Sequence, residues 1–197
     1  MPDRAWRCFV GVPIGDELRT ELRTTVETLR AKLPIAHDAL RWTEPEGWHV
    51  SLAFLGPTEV DAIPRLAELL TAVAANHPPF AVPTGGLGAF PSRREVRVLW
   101  YGMADRSRRL AELAVAVRLA ASVDLSAPFR AHLTLARASG DHALPLPDAL
   151  WRAELPSGHL AVERLVLYRS HLSAGAPRYE PLGEYPLQPR VTAGGSR

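Results

Sequence analysis

The chain is short of several residue types, and each shortage closes off a class of function. It has a single cysteine, Cys8, so neither a disulfide framework nor a thiolate metal cluster is available. No apolar stretch approaches the roughly 20 residues that cross a bilayer as a helix, and the N-terminus lacks the basic, apolar and small-residue order of a secretory signal. A cytoplasmic protein without a membrane partner is therefore expected. There is no Gly-x-Ser-x-Gly elbow for a serine hydrolase, and no His/Asp/Glu group at metal-ligand spacing. Gly85, Gly86 and Gly88 are not followed by a nucleotide-binding helix, so they read as turn or bulge positions. Lysine is almost missing: of 23 cations, 22 are arginine and one is Lys32. Arginine's planar fork suits phosphate, yet heavy Arg, Ala and Pro use is also what a G+C-rich genome yields, so the count alone does not name a partner.

What is present is ordinary for one globular domain: 197 residues, 47% hydrophobic, 22% charged, net charge +2. The apolar pattern predicts a strand over Trp6–Val12 and then a helix on Ile14, Leu18, Leu22, Val26, Leu29 and Leu33, closed by Pro34. A short strand at Leu40–Thr43 and a turn at Glu44–Gly47 lead into a strand over His49–Leu55. A second helix carries Ile63, Leu66, Leu69, Leu70 and Val73 and ends before Pro78 and Pro79. Strands at Phe80–Val82 and Val96–Gly102 flank an irregular Pro83–Glu95 stretch, and a third helix runs from about Arg106 to Ala121. Phe129–Arg137 reads as a strand, followed by a Pro-rich loop, a long strand from Leu160 to Tyr168 and a short one near Tyr185–Leu187. The order is α+β, with helices packed on largely antiparallel sheets, in one unit over residues 1–190 and a frayed tail at 191–197.

Two segments carry the chemistry. His49-Val50-Ser51-Leu52-Ala53 and His132-Leu133-Thr134-Leu135-Ala136 share the pattern His, apolar, hydroxyl, Leu, Ala, 83 residues apart. In a strand, residues i and i+2 share a face, so His49 and Ser51 point one way while Val50, Leu52 and Phe54 point into a core, and His132 and Thr134 repeat the arrangement. Two imidazoles near a neutral pKa can serve as base and acid in one turnover, and hydroxyls can donate to the non-bridging oxygens of a phosphate. Such a set needs no metal to open a strained phosphodiester. His171-Leu172-Ser173 has the same spacing, but Ala174-Gly175-Ala176-Pro177 behind it is a turn signature, so it is set aside. His37, His77, His142 and His159 read as surface residues.

These paired segments resemble the signature motifs of the 2H phosphoesterases, and specifically of the RNA 2',3'-cyclic phosphodiesterases once described as 2'-5' RNA ligases. The likeness extends to Arg7–Pro13, Arg41-Trp42 with Pro45, Phe54-Leu55-Gly56, Gly86–Pro91, Arg97–Trp100, Pro128–Arg130, Leu167–Ser170 and Arg178–Glu180. It implies a bilobal pseudo-twofold fold of two interleaved lobes, with two antiparallel sheets forming a central groove and helices outside. The implied reaction opens an RNA 2',3'-cyclic phosphate to a 2'-phosphomonoester and a free 3'-hydroxyl, without cofactor or metal. His49 would be the proton donor and His132 the acceptor, with Ser51 and Thr134 on the phosphate. The motifs alone are too symmetric to assign those two roles. RNA with such an end, tRNA halves among them, would be the partner of a monomer with no obligate protein partner. Small cyclic nucleotides or 2'-5'-linked oligonucleotides as substrates, weak reverse joining, and a non-catalytic RNA-end binding module are the alternatives. Two departures stand out: Ser51 replaces the commoner Thr, and Trp48 precedes the first histidine.

Arg137 closes the second motif and is a phosphate-binding candidate, although strict alternation places it on the face opposite His132. Arg93, Arg94 and Arg97, with Arg130, are candidates to track an RNA backbone. Trp42, Trp48, Phe90, Trp100 and Tyr168 include candidates for a base-stacking platform.

Overall fold

Alternating Cys8, Val10 and Val12 build β1 (Ala5–Pro13), whose buried side holds those three residues. The structure, a computed structural model, describes residues 4–32 (the Lys32 side chain excepted), 39–140, 144–171 and 178–189. The expectations for His37, His142, the turn after His171, the end of the first helix and the tail all fall outside those residues. After β1 come α1 (Asp16–Lys32), β2 (Leu40–Trp42), β3 (His49–Glu59), α2 (Ile63–Ala75), β4 (Phe80–Pro91) and β5 (Val96–Met103). Then follow α3 (Arg109–Ala120), β6 (His132–Ala138), α4 (Asp148–Trp151), β7 (His159–Val162), β8 (Arg164–His171) and β9 (Arg178–Pro186). Asp16 and Glu17 sit in the first turn of α1, where acidic side chains favour the helix dipole. α3 starts later than the sequence suggests because the Asp105 carboxylate accepts hydrogen bonds from the Leu110 and Ala111 amides and fixes the first turn there.

The strands form one curled antiparallel sheet in the order β7-β4-β5-β6-β3-β1-β8-β9, with β2 beside β6. The two sheets expected from the sequence are its two halves, joined where β3 meets β6 through a single partnered pair, Val50 and Leu133. The order is symmetric about that junction, β5 answering to β1, β4 to β8 and β7 to β9. α3 packs against β3 and α2, and α2 against β8 and β9. Leu52, Leu70, Leu99, Leu110, Leu113, Leu133, Leu135 and Leu165 lie fully buried in the core.

Three expectations on strands change. Pro83–Glu95 is not irregular through its length: β4 continues to Pro91, and its pairing to β5 slips between Thr84 and Leu87, where Gly85 and Gly86 take positive φ of 153° and 76°. The strand expected over Leu160–Tyr168 is two strands that break at Glu163, because β7 pairs with β4 and β8 with β1 and β9. β9 is nine residues long rather than a short piece near Tyr185.

Candidate active site

Both histidines flank the junction. Val50 pairs antiparallel with Leu133, so along the strands His49 lies toward Thr134 and His132 toward Ser51. The two histidine–hydroxyl pairs thus meet head to tail across a local twofold. Each imidazole is fixed in the same way. His49 Nδ1 donates to the Gly47 carbonyl at 2.7 Å, and His132 Nδ1 donates to the Arg130 carbonyl at 2.7 Å. A carbonyl can only accept, so Nδ1 carries a proton on both rings and Nε2 is the nitrogen that can take up or release one. His49 Nε2 lies 3.0 Å from Ser51 Oγ.

The surroundings differ. His49 stacks on Phe9 with centroids 4.6 Å apart and meets the edge of Tyr179 at 5.0 Å, while Tyr168 stacks on Phe9 at 4.9 Å and lies 5.7 Å from the His49 ring. Gly11 leaves room beneath this ring, since a Cβ there would lie 3.3 Å from His49 Cδ2 and 3.0 Å from the Val50 carbonyl. Burial of His49 depresses its pKa to about 4, the Gly47 hydrogen bond opposes this, and the charges of Arg137 and His132 add to it. His132 meets the Phe90 edge at 4.9 Å and the tilted Trp100 ring at 6.2 Å. Its pKa also lies below the ordinary histidine value, first through burial and then through Arg137, with the Arg130 carbonyl opposing.

Each histidine strand contains the same bulge. In β3 the partners step from Ala53 to Ser51 while β1 advances one residue, leaving Leu52 extra; in β6 they step from Ala136 to Thr134 while β5 advances one, leaving Leu135 extra. The extra residue resets the alternation. Arg137 therefore lies on the same face as His132 and Thr134, opposite Val98, and its charge acts on both histidines and on Tyr179. Strict alternation put it on the other side. By the same reset Phe54, expected in the core, is 64% exposed on the histidine face, 6.2 Å from Phe9. Phe54 and Arg137 occupy equivalent positions in the two halves.

The bulged strands are also braced alike. The Leu135 carbonyl accepts from the Thr43 amide at 2.9 Å and from Thr43 Oγ1 at 2.9 Å, while the Leu52 carbonyl accepts from Arg118 Nε of α3 at 3.1 Å. Sequence reasoning named neither Thr43 nor Arg118, because both act across separations of 92 and 66 residues.

The remaining candidates divide. Trp48, considered as a base contact, is 3% exposed and its Nε1 donates to Thr43 Oγ1 at 2.9 Å, so it is a core residue that braces β6. Trp42 is partly buried against the core. Trp100 lies over Gly88, where a Cβ would fall 2.1 Å from the indole. Arg130 sits 5.9 Å from the Phe90 ring, near His132. Arg93 is held elsewhere, donating to the Leu87 carbonyl and lying over Trp151. Arg97 is exposed and is the extra residue where the β4–β5 pairing slips between Val98 and Val96, and Arg94 is in the exposed turn between β4 and β5. His171 Nε2 is hydrogen-bonded to the Glu180 carboxylate at 2.6 Å, His159 is exposed and His77 half-buried.

Matched strand histidines with adjacent hydroxyls, centred on one curled antiparallel sheet, define a 2H phosphoesterase. The chain belongs to the 2'-5' RNA ligase superfamily, whose family model matches residues 16–174. The RNA 2',3'-cyclic phosphodiesterase of Geobacillus stearothermophilus is 31% identical over 184 residues, covering 91% of this chain and 56% of that protein, so the chain spans about half its length. A protein of the same name from Aquifex aeolicus is 31% identical over 154 residues, covering 75% of this chain and 81% of its own. E. coli LigT in its apo form aligns with a TM-score of 0.70 at 29% identity, over 94% of this chain and 99% of that one.

Proposed function

We propose that this protein hydrolyses RNA 2',3'-cyclic phosphate ends to a 2'-phosphomonoester and a free 3'-hydroxyl, with two histidines as general acid and base and no metal. The observation that carries the reading is the head-to-tail pair of Nδ1-anchored imidazoles at the Val50–Leu133 junction, with Ser51, Thr134 and Arg137 on the same face. Water attacks phosphorus as the bond to O3' breaks; one Nε2 takes the proton that water loses, and the other gives a proton to O3'. His132 suits the acceptor, since no side chain among the described residues occupies its Nε2, whereas His49 Nε2 is met by Ser51. His49 as donor must be charged, and burial opposes that. An anionic phosphate at Ser51 and Arg137 supplies the compensating field and raises its pKa on binding. The relatives named RNA 2',3'-cyclic phosphodiesterase support the substrate class. The reading includes tRNA halves as one source of such ends and a monomeric enzyme.

Phe54, exposed on this face beside Phe9, supplies a stacking surface for the terminal base. The test is product identification from an oligoribonucleotide with a 2',3'-cyclic end. A 2'-phosphate is expected, retained in EDTA, with His49→Ala and His132→Ala each slowing turnover by about 10²–10⁴-fold. A 3'-phosphate product, or full activity in both variants, refutes the proposal.

A further inference from the structure

Arg41 of β2 pairs directly with Arg137 of β6 in antiparallel register, and both side chains are exposed. Because Arg41 stands opposite Arg137, it shares the histidine-bearing face. Like charges directly opposite one another destabilise a strand pair. Several other arginines are matched: Arg19 with Asp16, Arg23 with Glu46, Arg65 with Glu68, Arg164 with Glu184, and Arg118 with backbone carbonyls. No described residue forms a hydrogen bond or ion pair with the guanidinium of Arg41 or Arg137. Two neighbouring unmatched forks on a phosphoesterase's working face form an anion site.

The charges also divide the work. Arg137 acts on His49, His132 and Tyr179, which places its charge at the reacting centre; Arg41 acts on none of the groups whose pKa is displaced. Arg41 is the outer member. We infer that Arg41 binds the phosphodiester on the 5' side of the terminal nucleotide, so that Arg41 with Arg137 selects the end of an RNA chain over a free cyclic mononucleotide. This assignment rests on the phosphodiesterase reading above and adds a specificity-determining residue to it.

The test compares wild type with Arg41→Gln on two substrates, cytidine 2',3'-cyclic monophosphate and a short oligoribonucleotide ending in the same cyclic nucleotide. The ratio of kcat/KM for the oligonucleotide to that for the mononucleotide falls about tenfold, chiefly through KM, as expected for one lost charge-assisted phosphate contact. The salt slope of log kcat/KM on the oligonucleotide shrinks by about 0.7. Tm holds or rises, because the variant removes a like-charge pair; a merely structural arginine would lower it. An equal fall on both substrates, or no fall on either, overturns the inference. Should the wild type open neither substrate, the phosphodiesterase reading fails by itself. The Kd ratio of a 2'-phosphate-ended oligonucleotide to cytidine 2'-monophosphate then decides Arg41: a ratio unchanged by Arg41→Gln overturns the assignment, and a tenfold change sustains it.

Discussion

Acidification combined with His49→Gln tests the electrostatics of the site most directly. Folding depresses the His49 pKa from the ordinary 6.5 to about 4, so above pH 6.5 the ring is neutral in both folded and unfolded chains and contributes no pH dependence. As pH falls below 6.5 the unfolded chain takes up a proton that the folded one refuses, and stability drops until the folded-state value is passed. Between pH 7.5 and 4.5 the expected loss from this one residue is about 2–3 kcal/mol, the differential protonation of a group shifted by that amount. His132 is depressed too and adds its own share to the wild-type slope. Urea unfolding at both pH values, on wild type and His49→Gln, isolates the His49 contribution: the variant loses about 2–3 kcal/mol less stability on acidification. Equal losses in the two proteins refute the buried, neutral His49 described here. The same logic fixes a kinetic sign. An anion bound at Ser51 and Arg137 raises the pKa, so the limb of the kcat profile that requires charged His49 lies at higher pH than the corresponding limb of kcat/KM.

Other outcomes follow from particular contacts. Phe54→Ala leaves urea stability within about 0.5 kcal/mol, because the ring is 64% exposed, but weakens oligonucleotide binding by about 1–3 kcal/mol through lost stacking, read as Kd by calorimetry. Arg118→Leu leaves the bulge carbonyl of Leu52 without its donor and lowers stability by about 1–3 kcal/mol in urea unfolding, whereas Trp48→Phe, losing one bond to Thr43, costs about 1 kcal/mol and leaves base preference unchanged. Gly88→Ala drives a Cβ to 2.1 Å from Trp100 and costs about 1–3 kcal/mol, with loss of turnover as the indole beside His132 is displaced, measured by melting and steady-state rates.

The two histidine strands were legible in the sequence because a period of two is a local signal, and His49, Ser51, His132 and Thr134 lie on one face as that period requires. What the period could not carry was its own interruption. Leu52-Ala53 and Leu135-Ala136 are two successive apolar residues in each motif, and only the partner strand's register reveals that both face inward, which turns Phe54 and Arg137 outward. The pairing of Arg41 with Arg137 spans 96 positions and is equally invisible to local reading. Arg93, Arg94 and Arg97 read as a basic cluster because they are close in sequence, yet the Leu87 carbonyl and the Trp151 ring hold Arg93 apart from it. Trp48 was ambiguous for another reason: a tryptophan is both a stacking surface and a core residue with one donor, and here Thr43 takes the donor.

The single residue between β7 and β8 has a consequence for how the molecule comes apart. β7 belongs to one rim of the sheet and β8 to the other half, yet only Glu163 separates them, so the curl must bring the two rims together. The Glu163 carbonyl accepts the Leu187 amide at 2.8 Å, which fastens the strand leaving β9 to the same point. This linkage predicts that neither half melts while the other stands, so that a denaturant transition followed at His49 coincides with one followed at His132. On this expectation the two histidines share one cooperative unit, and no partly unfolded state keeps only one of them in place.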